Sequence, residues 1–199
     1  MRANLAFAVL LAATVFGLGQ AQAAEMIFTE TATAHGSLNG VTFNNALITI
    51  TGEADTNGIY TSSPGVYRDN IQLTLTVQGL GTAHFTDQMA AWSNQNLHFV
   101  GFLDLTQNGN ALLFVSKISN TGYDLSTPFG PVTGTTGVGN PMTYATDQGS
   151  FHLLGPPTAV TFAATLAAVP EPSTWLMMTG ALGGLGAMLR RRRTIFARA

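Results

Sequence analysis

Four histidines, His35, His84, His98 and His152, are the side chains best able to move protons or hold a metal ion near neutral pH. They fall one to a segment, with no His-x-His or His-x-x-x-His spacing that would aim two imidazoles at one ion, so they read as strand and surface histidines. His84-Phe85-Thr86-Asp87 sets an acid three residues from an imidazole and Ser93 follows, so a hydrolytic triad can be drawn. No nucleophile elbow presents that serine. The chain has no cysteine, which excludes disulfides, thiolate metal sites and cysteine nucleophiles together.

Glu53-Ala54-Asp55-Thr56-Asn57-Gly58 alternates oxygen-bearing side chains before a glycine, as the first part of a calcium loop does. Asp55 and Asn57 are the calcium candidates, but the distal acid of such a loop is missing, and the same residues make an ordinary turn. Trp92, Tyr60, Tyr67, Tyr123 and Tyr144 would stack on sugar rings if several shared a face; spacing alone does not gather them. The expectation is therefore no catalytic residue, no cofactor and no resident metal. A lectin-like calcium or carbohydrate module and a secreted hydrolase are the rival classes.

Charge is distributed unevenly over the 199 residues. Arg2 stands at the front, Arg190, Arg191, Arg192, Arg193 and Arg198 at the end, and only Arg68 and Lys117 between them. Against those two, the stretch from Glu25 to Val169 holds nine acids, a formal charge of −7. Such a surface repels phosphate backbones, so nucleic acid is excluded as a partner. The same stretch is poor in charge for its length and rich in Thr, Asn, Gly and Ser, which suits a neutral, hydrated setting.

The two ends are hydrophobic and differently built. Met1-Arg2 is a minimal positive leader, Leu5 to Leu18 is an apolar run, and Ala21-Gln22-Ala23 is a small-x-small cleavage site, so residues 1–23 read as a Sec signal peptide. Trp175 to Leu189 carries no charge and runs straight into Arg190–Arg193. An arginine cluster stays cytoplasmic, so this end predicts a single transmembrane helix over about residues 173–189 with the body of the chain outside. The run is shorter than the roughly 20 residues of a comfortable span, as a temporary anchor would be. Gly180 and Gly184 form a small-x-x-x-small pair that lets a second helix approach.

Just before that run stands Val169-Pro170-Glu171-Pro172-Ser173. The two prolines restrict their own backbones and push Val169 and Glu171 towards extended conformations, presenting an open peptide just outside the bilayer. A Pro-Glu-Pro motif, an apolar span and a basic stop, in that order, resemble a PEP-CTERM sorting domain over about the last 30 residues. The resemblance implies that an exosortase-like membrane enzyme recognises Pro170, Glu171 and Pro172 and removes the tail. The chain would then be a substrate and not an enzyme. It would pass through the Sec translocon and rest briefly in the inner membrane of a Gram-negative bacterium. It would end at the cell surface or in a biofilm-type extracellular matrix, with exopolysaccharide as a further partner.

Residues 24–168 must supply the working domain. Apolar residues there recur with a period near two: in Ile71 to Gln78, Ile71, Leu73, Leu75 and Val77 share one face and Gln72, Thr74, Thr76 and Gln78 the other. Further strands are expected over Met26 to Ala34, at Val41 to Phe43 and Leu47 to Thr51, and over Ala83 to Phe85, Leu97 to Leu105, Ala111 to Lys117, Ser150 to Leu154 and Ala159 to Leu166. Asn39-Gly40, Asn57-Gly58, Pro64-Gly65 and Asn108-Gly109 punctuate them, and Pro128 to Pro141 reads as a long loop; Asn108-Gly109 is the best hairpin signal. The pattern predicts an all-β domain, an antiparallel β-sandwich for which a jelly roll is one arrangement, followed by the sorting and anchor tail over 169–199.

Overall fold

The structure is a computed structural model that describes residues 25–138 and 143–167. The signal-peptide cleavage residues Ala21 and Ala23, the motif Pro170–Pro172, the expected span and Arg190–Arg193 lie outside the described residues. No helix among the described residues is long and apolar enough to cross a membrane.

Among the described residues, thirteen strands and one 3-10 turn follow one another. They are β1 (Glu25–Leu38), β2 (Val41–Asp55), the turn (Thr56–Gly58), β3 (Tyr60–Ser63), β4 (Val66–Val77), β5 (Gly81–His84), β6 (Met89–Asn94) and β7 (Phe99–Asp104). Then come β8 (Asn110–Ser116), β9 (Phe129–Thr133), β10 (Thr135–Gly137), β11 (Thr143–Thr146), β12 (Gly149–Leu153) and β13 (Thr158–Leu166). All pairings among them are antiparallel, and short turns make six of the twelve. Leu38 pairs with Val41 across Asn39-Gly40, both at positive φ (51° and 78°), the backbone that a two-residue hairpin turn requires. Asn108-Gly109, at φ 59° and 74°, does lie between paired strands, in the five residues joining β7 to β8.

The sequence predicts two stacked sheets. The strands instead form one hydrogen-bonded sheet in the order β10-β8-β7-β6-β4-β2-β1-β12-β11, with β13 added to β1 and β9 to β13. The link is β4, which has two sets of neighbours. Val66–Ile71 pairs with β6, and the following residues to Val77 pair with β2. At the other end β9 pairs with β13 while β10 pairs with β8, and only Gly134 separates them in the chain. The sheet thus comes close to closing as a barrel, with both joins made by chain that passes from one half of the sheet to the other.

Period-two patterning explains the interior. Along β1, and along β4 from Asp69 onward, every second residue is buried, and Phe28, Ile48, Leu73, Leu75, Phe102, Leu113, Phe151 and Phe162 belong to one continuous core. Strand β6 departs from this pattern because it is buried on both faces. Its outer side carries Trp92, which meets Phe99 and Phe114 edge-on at ring-centroid distances of 5.8 and 6.0 Å in a second, smaller cluster. A strand without alternation looks like no strand in the sequence, which is why β6 was not expected. The Pro128 to Pro141 segment also differs from expectation, since it contains β9 and β10. Both are short edge pieces held by long-range pairing to β13 and β8, and strand propensity contributes little there.

Candidate functional site

Strands β13, β1, β2, β4 and β5 put their apolar alternates into the core and their polar alternates on the outer face. Those polar alternates are mostly threonine, whose branched side chain fits a pleated surface and holds few rotamers. Strand register lines them up across the sheet. Thr133, Thr161, Thr31, Thr49, Thr76 and Thr82 are successive partners over six strands, β9 to β5. A second row beside it runs Ala163, Thr29, Thr51, Thr74 and His84. A third holds Thr165, Ile27, Glu53 and Gln72. Within a row the spacing is about 4.8 Å, and rows stand about 6.7 Å apart along the strands.

Hydroxyl pairs tie the ends of the long row: Thr76 and Thr82 lie 3.1 Å apart, Thr133 and Thr161 3.0 Å. In the second row the Thr74 hydroxyl is 3.1 Å from His84 Nδ1, and the His84 backbone N–H donates to Asp147 at 2.8 Å. Between the second and third rows the face dips into an open depression of about 380 Å³, lined by Ile27, Thr51, Gly52, Glu53, Gln72, Thr74 and His84. The Gln72 amide N–H donates to the Phe85 carbonyl, which fixes that side chain at the rim and leaves its amide oxygen as an acceptor. The depression therefore offers one carboxylate, one imidazole, one amide and two hydroxyls beside an apolar floor.

The residues singled out in the sequence are spread over several places. His35 and His98 are exposed, and His152 is half-buried on β12. The His35 ring accepts from the Asn45 backbone at 3.2 Å. His84 faces outward on β5, whereas Ser93 is fully buried and donates to the Tyr123 carbonyl at 3.0 Å. Asp87 accepts from the Ala145 backbone. The imagined triad is thus not assembled. Tyr144 and Tyr123 are core residues, the first donating to the Ala111 carbonyl at 2.9 Å and the second stacked on Phe129; Tyr60 and Trp92 flank Arg68 in one cross-strand row, but Trp92 is buried, so the five aromatics form no common exposed platform.

Asp55 caps the 3-10 turn by accepting from the Asn57 N–H at 2.9 Å. Its charge acts on Asp69, which the sequence reading did not single out. Burial first, and Asp55 second, push the Asp69 carboxyl up to about 6. Among the described residues no three His, Cys, Asp or Glu side chains lie close enough to hold a metal ion. The threonine rows were also missed, although the signal was present as repeated Thr-x-Thr on separate strands; only register makes it a surface.

The C-terminal signal, and not the β-domain, gives the class: an exported protein carrying its own sorting address. The family described as the PEP-CTERM protein-sorting motif matches residues 168–193, and the chain carries that motif. The match takes in Pro170, Glu171, Pro172 and Arg190–Arg193, and it implies an exosortase partner and membrane-anchored sorting to the cell surface. It ends short of the β-domain. Comparison with curated proteins gave no match, and neither did comparison with solved structures.

Proposed function

We propose that the protein is a surface or extracellular-matrix component of a Gram-negative bacterium, in an exopolysaccharide or biofilm setting, with no catalytic role of its own. After export through Sec, the tail holds it in the inner membrane until an exosortase-like enzyme acts at Pro170-Glu171-Pro172 and releases the β-domain outward. The observation that carries this reading is the sorting-motif match at residues 168–193, which begins two residues after the last strand ends at Leu166. We read the nearly closed sheet as a flattened, sandwich-like barrel.

Mass spectrometry of the mature protein tests the proposal, using wild-type cells and cells in which Pro170, Glu171 and Pro172 are replaced by alanine. The expected result is a chain that starts at Ala24 in both, with the C-terminal tail lost only from the wild type. An intact arginine-containing tail in both would mean a permanent membrane anchor and overturn the sorting half of the reading.

A further inference from the structure

The threonine face calls for an occupant of matching chemistry. It carries hydroxyls that both donate and accept, methyl groups between them, one carboxylate and one imidazole, and no aromatic ring along its rows. Polyanions and lipid headgroups find no cationic group in those rows. A second copy of the chain is also a poor fit, because self-association faces are more apolar than this one. A planar crystalline lattice such as ice could match hydroxyl rows, but neighbouring strands rotate by roughly 20–25°, so a six-strand row turns through on the order of 100°. The depression between Thr51, Glu53, Gln72 and Thr74 breaks flatness further. A flexible chain of uncharged hydroxylated rings can follow the twist and set one ring into the depression.

We propose that the outer face of β9-β13-β1-β2-β4-β5 binds an uncharged polysaccharide that crosses its threonine rows, one stretch of the chain lying on the six-threonine row and one sugar of the adjoining stretch held at Glu53, Gln72 and Thr51. The stiff threonine rotamers present their hydroxyls already ordered, so little side-chain entropy is lost on contact. Glu53 accepts from sugar hydroxyls and the free oxygen of the Gln72 amide does the same, while Ile27 gives the ring an apolar floor. This rests on the reading of the β-domain as a non-catalytic surface module.

The test is retention of the mature protein on cellulose, dextran and agarose beads, with alginate beads as the polyanion control. Retention on at least one neutral matrix and none on alginate is expected. A Thr31→Val, Thr49→Val, Thr76→Val chain keeps shape and strand preference and should bind about tenfold or more weakly, since each lost hydrogen bond is a modest contribution. A Glu53→Gln, Gln72→Ala chain tests the depression separately, and Thr61→Val on β3 should leave binding unchanged. Far-UV circular dichroism confirms that each variant folds. No retention on any neutral matrix, or equal retention of the triple variant, overturns the proposal. Shaping of ice crystals without glycan retention also overturns it. None of these outcomes touches tail removal, which the mass measurement reads on its own. Release of soluble sugar from the beads would uphold binding and overturn the non-catalytic reading.

Discussion

At the scale of single residues the most consequential side chain is Glu30. It points inward from β1 between Phe28 and Ala32, opposite Ile50 on β2 and Phe162 on β13, fully buried and with neither carboxyl oxygen hydrogen-bonded. Burial pushes its pKa well above the ordinary 4.5, so the folded protein keeps this acid neutral. The unfolded chain gives up the proton near pH 4.5 while the native state retains it. Stability therefore falls as pH rises from about 4.5 towards the raised folded value. Asp69 adds the same sign between its ordinary 3.8 and about 6. Urea midpoints of the wild type should thus drop from pH 5 to pH 8, and Glu30→Gln should flatten that slope and be the more stable chain at pH 8. An unchanged slope in the variant would show that Glu30 is not the group responsible. From sequence alone Glu30 reads as an ordinary polar residue in a Thr-rich strand; only its even spacing from Phe28 and Ala32 hints that it faces inward.

At the scale of elements the decisive piece is β4, which serves both halves of the sheet. Where it changes neighbours, Ile71 and Leu73 lie over Gly52 of β2, and a Cβ there would come within 2.4 Å of the Ile71 side chain. Glycine at this position lets the two strands close. Gly52→Val should destabilise the fold by about 1–3 kcal/mol through overpacking. Adding Ile71→Ala should recover part of that loss, because it empties the space the new side chain needs. Chemical denaturation of the two single variants and the double variant measures the coupling; strictly additive effects would refute it. The alternation of Ile71 to Gln78 gave this strand's faces correctly, but Val66–Asn70 lacks a clean alternation, so the strand's first half was not expected.

At the scale of the whole molecule, charge separates the body from its tail. The complete chain carries a formal net charge of −2, while Glu25 to Val169 carries −7. Removal of the arginine-bearing tail should therefore shift the isoelectric point downward from the full chain's value of about 6.0. Isoelectric focusing of the surface-exposed species against the membrane-held precursor reads this directly; identical focusing positions would mean that the arginines are still attached. A more acidic released domain repels polyanions more strongly, which agrees with an uncharged partner for its threonine face.

The sequence by itself determined the features whose physics is local. The Pro-Glu-Pro motif, the apolar run and the arginine stop are written along a single stretch, and the motif at residues 168–193 is matched there. The all-β class follows from period-two patterning, which needs only one strand at a time. Tertiary structure alone decided the rest. That β4 joins both halves, that β9 and β10 are strands, that Ser93 is buried away from His84, and that threonines from six strands form one row all depend on register between distant segments. Register is set by which apolar faces must share a core, and no single segment contains that information.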